Sequence, residues 1–175
     1  AAHYFGVERV AVPVDPATQR ADVDATRAAL DEHAGRVVLV AVSAPSYAHG
    51  VVDPVAEVAA LAAERGLRCH VDACIGGWVL PWSAYPEPWD LAVPGVTSLS
   101  ADLHKYAYTP KGVSLLLHRD PALRRPQFFA SADWPGYTML NATMQSTRSG
   151  GPLAAAWAVT RHIGVEGYRS LVATT

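Results

Sequence analysis

The sequence has little charge, little cysteine and no long hydrophobic run, and each scarcity excludes a class of protein. Only 17% of the 175 residues are charged and the net charge is −2, without the basic excess typical of nucleic-acid-binding or membrane-surface proteins. No apolar run is long enough to span a bilayer. The two cysteines, Cys69 and Cys74, form neither a disulfide framework nor a paired CxxC zinc motif, so we expect a reducing, cytoplasmic setting.

Lysine is also scarce, and its two copies lie close together. Fourteen residues are lysine or arginine, but only Lys105 and Lys111 are lysines. Arginine does not act as a nucleophile, whereas a partly buried lysine can do so. Two lysines within one short segment of an otherwise lysine-free chain therefore indicate a need for an amine there.

Hydrophobic runs alternate with capped helices through the first half of the chain. Strands are predicted over 7–12, 36–44, 67–71, 96–100 and 113–118, and the 36–44 run is expected to be buried on both faces. Helices are predicted after Asp22 and after Asp53, each capped by that aspartate, and two helices close the chain, the second starting near Val165. This alternation predicts one α/β domain with a mainly parallel sheet flanked by helices.

Asp72 and Lys105 each follow a predicted strand, at the kind of position where functional residues of α/β proteins collect. We therefore expect both to face one crevice. Lys105 follows His104 and is flanked by Tyr106 and Tyr108; a partly closed, aromatic-lined pocket would lower its pKa by desolvation and favour an imine with a carbonyl compound. The carboxylate can keep a pyridine nitrogen protonated, as pyridoxal phosphate chemistry requires. The structural alternatives are a surface lysine and a turn-forming aspartate.

The segments around these two positions resemble a known family. HVDACIGGWVLPW at 70–82 and GVTSLSADLHKYAYTPKGVSLLLHRD at 95–120 are similar to the pyridoxal-phosphate-dependent sphingosine-1-phosphate lyases, within the group II amino-acid decarboxylase family. The likeness keeps its order and spacing along essentially the whole chain. It implies the large domain of a fold-type I pyridoxal phosphate enzyme, a cytoplasmic homodimer that acts on a small amine in sphingolipid or amino-acid metabolism.

By position, the resemblance implies roles for five residues. Lys105 would bond covalently to pyridoxal phosphate, and Asp72 would bond to the pyridine nitrogen. His104 would lie near the cofactor phosphate and Cys74 near its ring. Lys111 would shape the substrate side of the pocket and contact a substrate phosphate. The catalytic base is not indicated.

The implied reaction breaks the Cα–Cβ bond of a phosphorylated long-chain amino alcohol and gives an aldehyde and phosphoethanolamine. The alternatives are an amino-acid decarboxylase, which uses the same electron sink, and an inactive, truncated relic of the fold. A metal site is a further alternative, because strand alternation would place His70, Asp72 and Cys74 on one face. No metal-binding framework such as CxxC or HExxH accompanies these residues.

The sequence also departs from the family's pattern. Leu103 stands where the lyases have threonine, and Tyr137 and Met139 alter a substrate-facing loop. Arg148 belongs to a segment expected near the dimer interface. By the resemblance, we expect the family's cofactor-stacking histidine, its glycine-rich phosphate loop and its small C-terminal domain to have no counterpart within residues 1–175. We therefore expect residues 1–175 to be one partial large domain that, taken alone, binds the cofactor weakly.

Overall fold

The polypeptide divides into two units in its computed structural model, which describes residues 2–145 and 147–175. Unit 1 contains the chain up to Asp72 together with Pro88–Val96. Unit 2 contains Ala73–Glu87 and the chain from Thr97 onward. The expectation of one domain stays a prediction, and each unit is described by itself.

Unit 1 is built on a parallel pair of strands joined by a helix. Its elements are α1 (Val23–Glu32), β1 (Val40–Ser43), α2 (Val55–Glu64) and β2 (Cys69–Asp72). Val40 lies opposite Cys69, and Ser43 lies opposite Asp72. Parallel neighbours require a crossover connection, which α2 supplies here. Asp72 is the last residue of β2, so the predicted position of this carboxylate at a strand end is confirmed.

The core of unit 1 forms where α2 packs on the strand pair. Small and β-branched residues of α2 are buried together with apolar residues of both strands: Val55, Val58, Ala59, Leu61, Ala62, Val42, Cys69 and Val71. Gly95 packs tightly against this helix, since a Cβ there would lie 2.4 Å from the Ala59 carbonyl oxygen. Its φ of +91° also requires glycine.

Asp53 is not the cap of α2, contrary to the prediction. The helix begins at Val55 with Pro54 as its N-cap residue, and no side chain caps it. The Asp53 carboxylate instead accepts hydrogen bonds from the backbone N–H groups of Ser43 and Ala21, both at 2.8 Å. Asp53 is 9% exposed, so this carboxylate joins three separate segments inside the unit.

Unit 2 contains two antiparallel strand pairs and the longest helix. Its elements are β3 (Val96–Asp102, whose first residue belongs to unit 1), β4 (Ser114–His118), α3 (Pro121–Arg124), β5 (Phe129–Ser131), β6 (Met139–Asn141) and α4 (Gly151–Val172). Strand β3 pairs with β4, and β5 pairs with β6. Short 3-10 turns lie at Gly76–Trp78, Leu80–Trp82 and Arg125–Gln127.

The run α4 contains the two closing helices that the sequence predicts. Gly164 has a φ of 62° and a ψ of −178°, which are not helical values, and it breaks the run one residue before Val165. Glycine tolerates this conformation because it has no Cβ. Among the described residues, no helix has both the length and the apolar character that crossing a bilayer requires.

Two predicted strands differ from the structure. Residues 7–12 form no strand, and the nearest pairing is an isolated bridge between Val14 and Ala21. The predicted strand over 36–44 begins only at Val40, and the preceding Val38 and Leu39 are 63% and 47% exposed. The prediction that residues 36–44 are buried on both faces is therefore wrong. An apolar sequence is buried only where other elements pack over it.

The contacts of Asp53 lead to a stability prediction. Asp53→Ala leaves two backbone N–H groups without their acceptor, and we expect a loss of about 1–3 kcal/mol for each. Asp22 is the matched control: it caps α1 by accepting from Ala25 N, and Asp22→Ala is expected to cost about 1 kcal/mol. Denaturant unfolding measures both free energies. A smaller loss for Asp53→Ala than for Asp22→Ala would contradict the assignment.

Candidate active site

The loop that carries Lys105 has a shape set by its own backbone. Lys105 lies three residues after Asp102, the last residue of β3. Tyr108 N donates to the Lys105 carbonyl oxygen at 3.1 Å, and Thr109 N donates to that of Leu103 at 3.3 Å. Tyr108 has a φ of 59°, in the left-handed region that non-glycine residues rarely adopt. The loop is therefore a folded turn and not an extended connection.

The second half of α4 anchors this loop. Tyr168 is 3% exposed, and its hydroxyl donates to the carbonyl oxygen of Ala107 at 2.9 Å. Its ring stacks on Trp82 and contacts Trp78, at centroid distances of 5.9 and 5.2 Å. Burial raises the pKa of the Tyr168 hydroxyl, which therefore stays a hydrogen-bond donor. Trp78 and Trp82 are partly buried and pack against the same hydrophobic cluster as Tyr168.

The Lys105 amine is held by two acceptors. Its Nζ lies 3.0 Å from Oδ2 of Asp102, and it also forms a hydrogen bond with the Cys74 side chain. The contact with Cys74 is the largest cause that raises the pKa of Lys105; burial opposes it, and Asp102 adds to it. The predicted lowering of this pKa by desolvation is therefore wrong, because the acceptors outweigh burial.

The pocket around Lys105 also differs from the prediction. The Lys105 side chain is 34% exposed, while Tyr106 and Tyr108 are 37% and 51% exposed as residues. The two tyrosines therefore do not form a closed aromatic wall within the described structure. Asp102 and Cys74 contact the amine and favour its charged form, and His104 contacts the same Asp102 carboxylate.

Asp102 is a site residue that the sequence analysis missed. Its Oδ1 accepts a hydrogen bond from Ser114 Oγ at 2.5 Å, and its Oδ2 lies 3.6 Å from His104 Nε2. Burial would raise the pKa of Asp102, but the hydrogen bonds from Ser114 and Lys105 and the electrostatic interactions with Lys105 and His104 hold it below its usual value. The available signal was an acid three residues before the lysine in the SADLHK motif.

His104 is oriented by the backbone of the neighbouring strand segment. Its Nδ1 lies 3.1 Å from the carbonyl oxygen of Val113. A carbonyl oxygen only accepts, so Nδ1 carries a proton and donates in this contact. The same oxygen accepts from Leu103 N at 3.2 Å, which ties the ring to the loop that carries Lys105.

The structure brings three of the predicted site residues together in unit 2. Lys105, His104 and Cys74 lie around Asp102, and the Cys74 carbonyl oxygen accepts from Asp102 N at 3.3 Å. Lys111 is exposed in the turn between β3 and β4. Asp72 is exposed at the end of β2 in unit 1, and its predicted position in the crevice of Lys105 stays a prediction.

The cysteines and the alternative metal site have separate outcomes. Neither cysteine is in a disulfide bond, and burial raises the pKa of the Cys69 thiol to about 11, so this thiol stays protonated at neutral pH. Over residues 2–145 and 147–175, no three histidine, cysteine, aspartate or glutamate side chains are grouped so that they could hold a metal ion. The alternative of His70, Asp72 and Cys74 as ligands thus has no geometric support.

The family match, the similar sequences and the similar structures all indicate the same group of proteins. Residues 1–175 match the pyridoxal-dependent decarboxylase conserved domain. Sphingosine-1-phosphate lyase 1 of Rattus norvegicus is 42% identical over 173 residues, which cover 96% of this chain and 30% of that protein. The solved sphingosine-1-phosphate lyase of Burkholderia pseudomallei has a TM-score of 0.92 at 42% identity, over 98% of this chain and 39% of that one. Glutamate decarboxylase of Lactobacillus brevis shares the fold, with a TM-score of 0.82 at 22% identity.

The anchoring of the loop by α4 leads to a second prediction. Tyr168→Phe leaves the Ala107 carbonyl oxygen without its donor, and we expect a loss of about 1–2 kcal/mol in unfolding free energy. Amide hydrogen exchange in the segment around Lys105 should also become faster. Tyr137→Phe is the control, because Tyr137 is 65% exposed and its loss of a hydroxyl should change neither quantity. Equal effects of Tyr168→Phe and Tyr137→Phe would contradict the role of the Tyr168 hydroxyl in holding the loop.

Proposed function

The chain belongs to the pyridoxal-dependent decarboxylase family, and from that premise we propose that the protein carrying it is a carbon–carbon lyase of the sphingosine-1-phosphate lyase type. The resemblance, the fold class and the cofactor predicted from the sequence are confirmed by the family match and the likeness to the Burkholderia pseudomallei structure. The proposed reaction cleaves a phosphorylated long-chain amino alcohol to an aldehyde and phosphoethanolamine. Its support is the 42% identity with the rat lyase, of which the chain spans 30%.

The chemistry of the described side chains fits pyridoxal phosphate. When bound, this cofactor supplies an aldehyde for amines and a ring that accepts the electron pair freed by bond cleavage. Lys105 supplies a primary amine on an anchored turn, and Asp72 supplies a carboxylate to hold a proton on the pyridine nitrogen. The imidazole of His104 and the thiol of Cys74 lie in the same cluster as the amine.

The observation that carries the proposal is the position of the Lys105 amine. It lies on a turn fixed by Tyr168 and contacts the Asp102 carboxylate at 3.0 Å, with 34% of its side chain exposed. An amine in this position is reachable by a ligand and is held in one place. It can bind an aldehyde after losing its proton, and it can return a proton to a substrate carbon.

The other predicted residues have supporting roles in the proposal. His104 is placed near the cofactor phosphate, and Cys74 is placed near the cofactor ring. Lys111 is exposed, and an exposed ammonium group can bind a substrate phosphate as a point charge. The proposal further includes a homodimer and a cytoplasmic location. The family resemblance supports the homodimer, and two cysteines outside any disulfide bond agree with the cytoplasmic location.

Lys105 is the residue whose removal tests the cofactor assignment. In the complete gene product that carries this chain, Lys105→Ala should abolish the visible absorption band that pyridoxal phosphate gives with a lysine amine, together with activity. Lys111→Ala is the matched control, because it removes the other lysine of the chain. It should retain the band, since Lys105 is still present. Retention of the band in Lys105→Ala, with loss in Lys111→Ala, would overturn the assignment. A wild-type protein that stays colourless with excess cofactor would favour the inactive relic.

Asp72 provides a test of the electron sink. Asp72→Asn should keep the absorption band but lower the turnover rate by about 10²–10³-fold, since it removes one charge that stabilises the reacting ring. Asp24→Asn, on the exposed face of α1, is the control and should leave the rate unchanged. Products are measured as aldehyde and phosphoethanolamine, or as carbon dioxide from amino acids. Release of carbon dioxide alone would favour the decarboxylase; an unchanged rate would contradict the role of Asp72.

A further inference from the structure

Asp102 contacts three functional groups through its two carboxylate oxygens. Oδ1 accepts from Ser114 Oγ, while Oδ2 lies 3.0 Å from Lys105 Nζ and 3.6 Å from His104 Nε2. The Asp102 side chain is 16% exposed, so the carboxylate is mostly shielded from water. These contacts place one acceptor between the amine and the imidazole of the candidate site.

The register of the β3–β4 pair explains why Ser114 reaches this carboxylate. Asp102 and Ser114 are direct partners across the antiparallel pair, so their side chains emerge next to each other. The serine hydroxyl fixes the orientation of the carboxylate and leaves Oδ2 directed toward Lys105. The contact is therefore made by strand pairing and not only by closeness along the chain.

We infer that Asp102 is a positioning residue for the Lys105 amine, with Ser114 as the group that holds Asp102 in place. This inference rests on the proposed function, because it assigns a role at the amine that would bond to the cofactor. The carboxylate holds the amine, as an ammonium ion, in the cofactor-free protein. The amine must release this proton to solvent and leave this contact before its nitrogen can bond to a carbonyl carbon, whose oxygen then leaves as water.

The electrostatics of the cluster agree with this role. Within the described residues, the titratable groups that act on the amine are Cys74 and Asp102, while His104 contacts the same carboxylate. Cys74 and Asp102 raise the pKa of Lys105 against the opposing effect of burial. Asp102 is one of the two groups that oppose the effect of burial, so removing its charge should lower the pKa of Lys105 while the Cys74 contact remains.

Competitive labelling with acetic anhydride tests the inference without the cofactor. The complete gene product is freed of cofactor and labelled with trace reagent from neutral to strongly alkaline pH, and mass spectrometry follows the Lys105 peptide, with the Lys111 peptide as internal reference. Asp102→Asn should move the half-reaction pH of Lys105 downward. Ser114→Ala should move it in the same direction by less, and Asp102→Glu should restore part of the wild-type profile.

The controls separate positioning from a purely structural role. Asp120→Asn is the matched control, because Asp120 caps α3 through Leu123 N and should leave the Lys105 profile unchanged. An unmoved profile in Asp102→Asn, or an equal shift in Asp120→Asn, would overturn the inference. If Asp102→Asn fails to fold, Ser114→Ala decides, because Ser114 is exposed on β4. If the labelling test contradicts the role of Asp102, the absorption test of Lys105 as the cofactor lysine still stands. If the absorption test contradicts the cofactor assignment, the labelling result still measures the effect of Asp102 on the Lys105 amine.

Discussion

The contact between the Lys105 ammonium group and the Asp102 carboxylate organises the side chains of the candidate site in unit 2. It is made possible by two separate supports. The β3–β4 register places Ser114 beside Asp102, and the Tyr168 hydroxyl holds the loop at Ala107. The amine is therefore restrained at both ends of a short segment, in its charged form, while part of its surface stays open to a ligand. A long lysine side chain without these supports would sample many rotamers and would rarely present its nitrogen in one place.

Features of the fold that depend on residues close together in the sequence could be predicted. The cap of α1 at Asp22, the strand that ends at Asp72 and the break at Gly164 all depend on neighbours along the chain. The errors arise where tertiary contacts decide. Asp53 looks like a helix cap beside Pro54, yet its carboxylate serves two distant backbone amides. Residues 7–12 have a strand-like composition, but strand formation needs a partner that composition does not specify.

In the candidate site, too, the sequence motif predicted some residues, whereas features that depend on tertiary contacts could not be predicted. Lys105 and His104 could be identified from their motif, and the resemblance placed Cys74 near the cofactor ring. The direction of the Lys105 pKa could not be predicted, because it depends on whether acceptors or burial dominate around one nitrogen atom. Asp102 was visible in the motif, but its importance appears only when the strand register brings Ser114 to it. Tyr106 and Tyr108 are both exposed, so the expected aromatic wall does not form in the described structure.

Family membership and the local geometry of unit 2 support different parts of the proposed function. The match over residues 1–175 gives the fold and the cofactor class, while the contacts of unit 2 give the amine a defined environment. We propose that Lys105 bonds to pyridoxal phosphate and that the Asp72 carboxylate faces the ring nitrogen. A crystal structure of the complete gene product grown with the cofactor is the decisive test of this arrangement. We expect continuous density from Lys105 Nζ to the cofactor and the Asp72 carboxylate within hydrogen-bond distance of the pyridine nitrogen, whereas density joined to another residue, or Asp72 remote from the ring, would overturn the proposal.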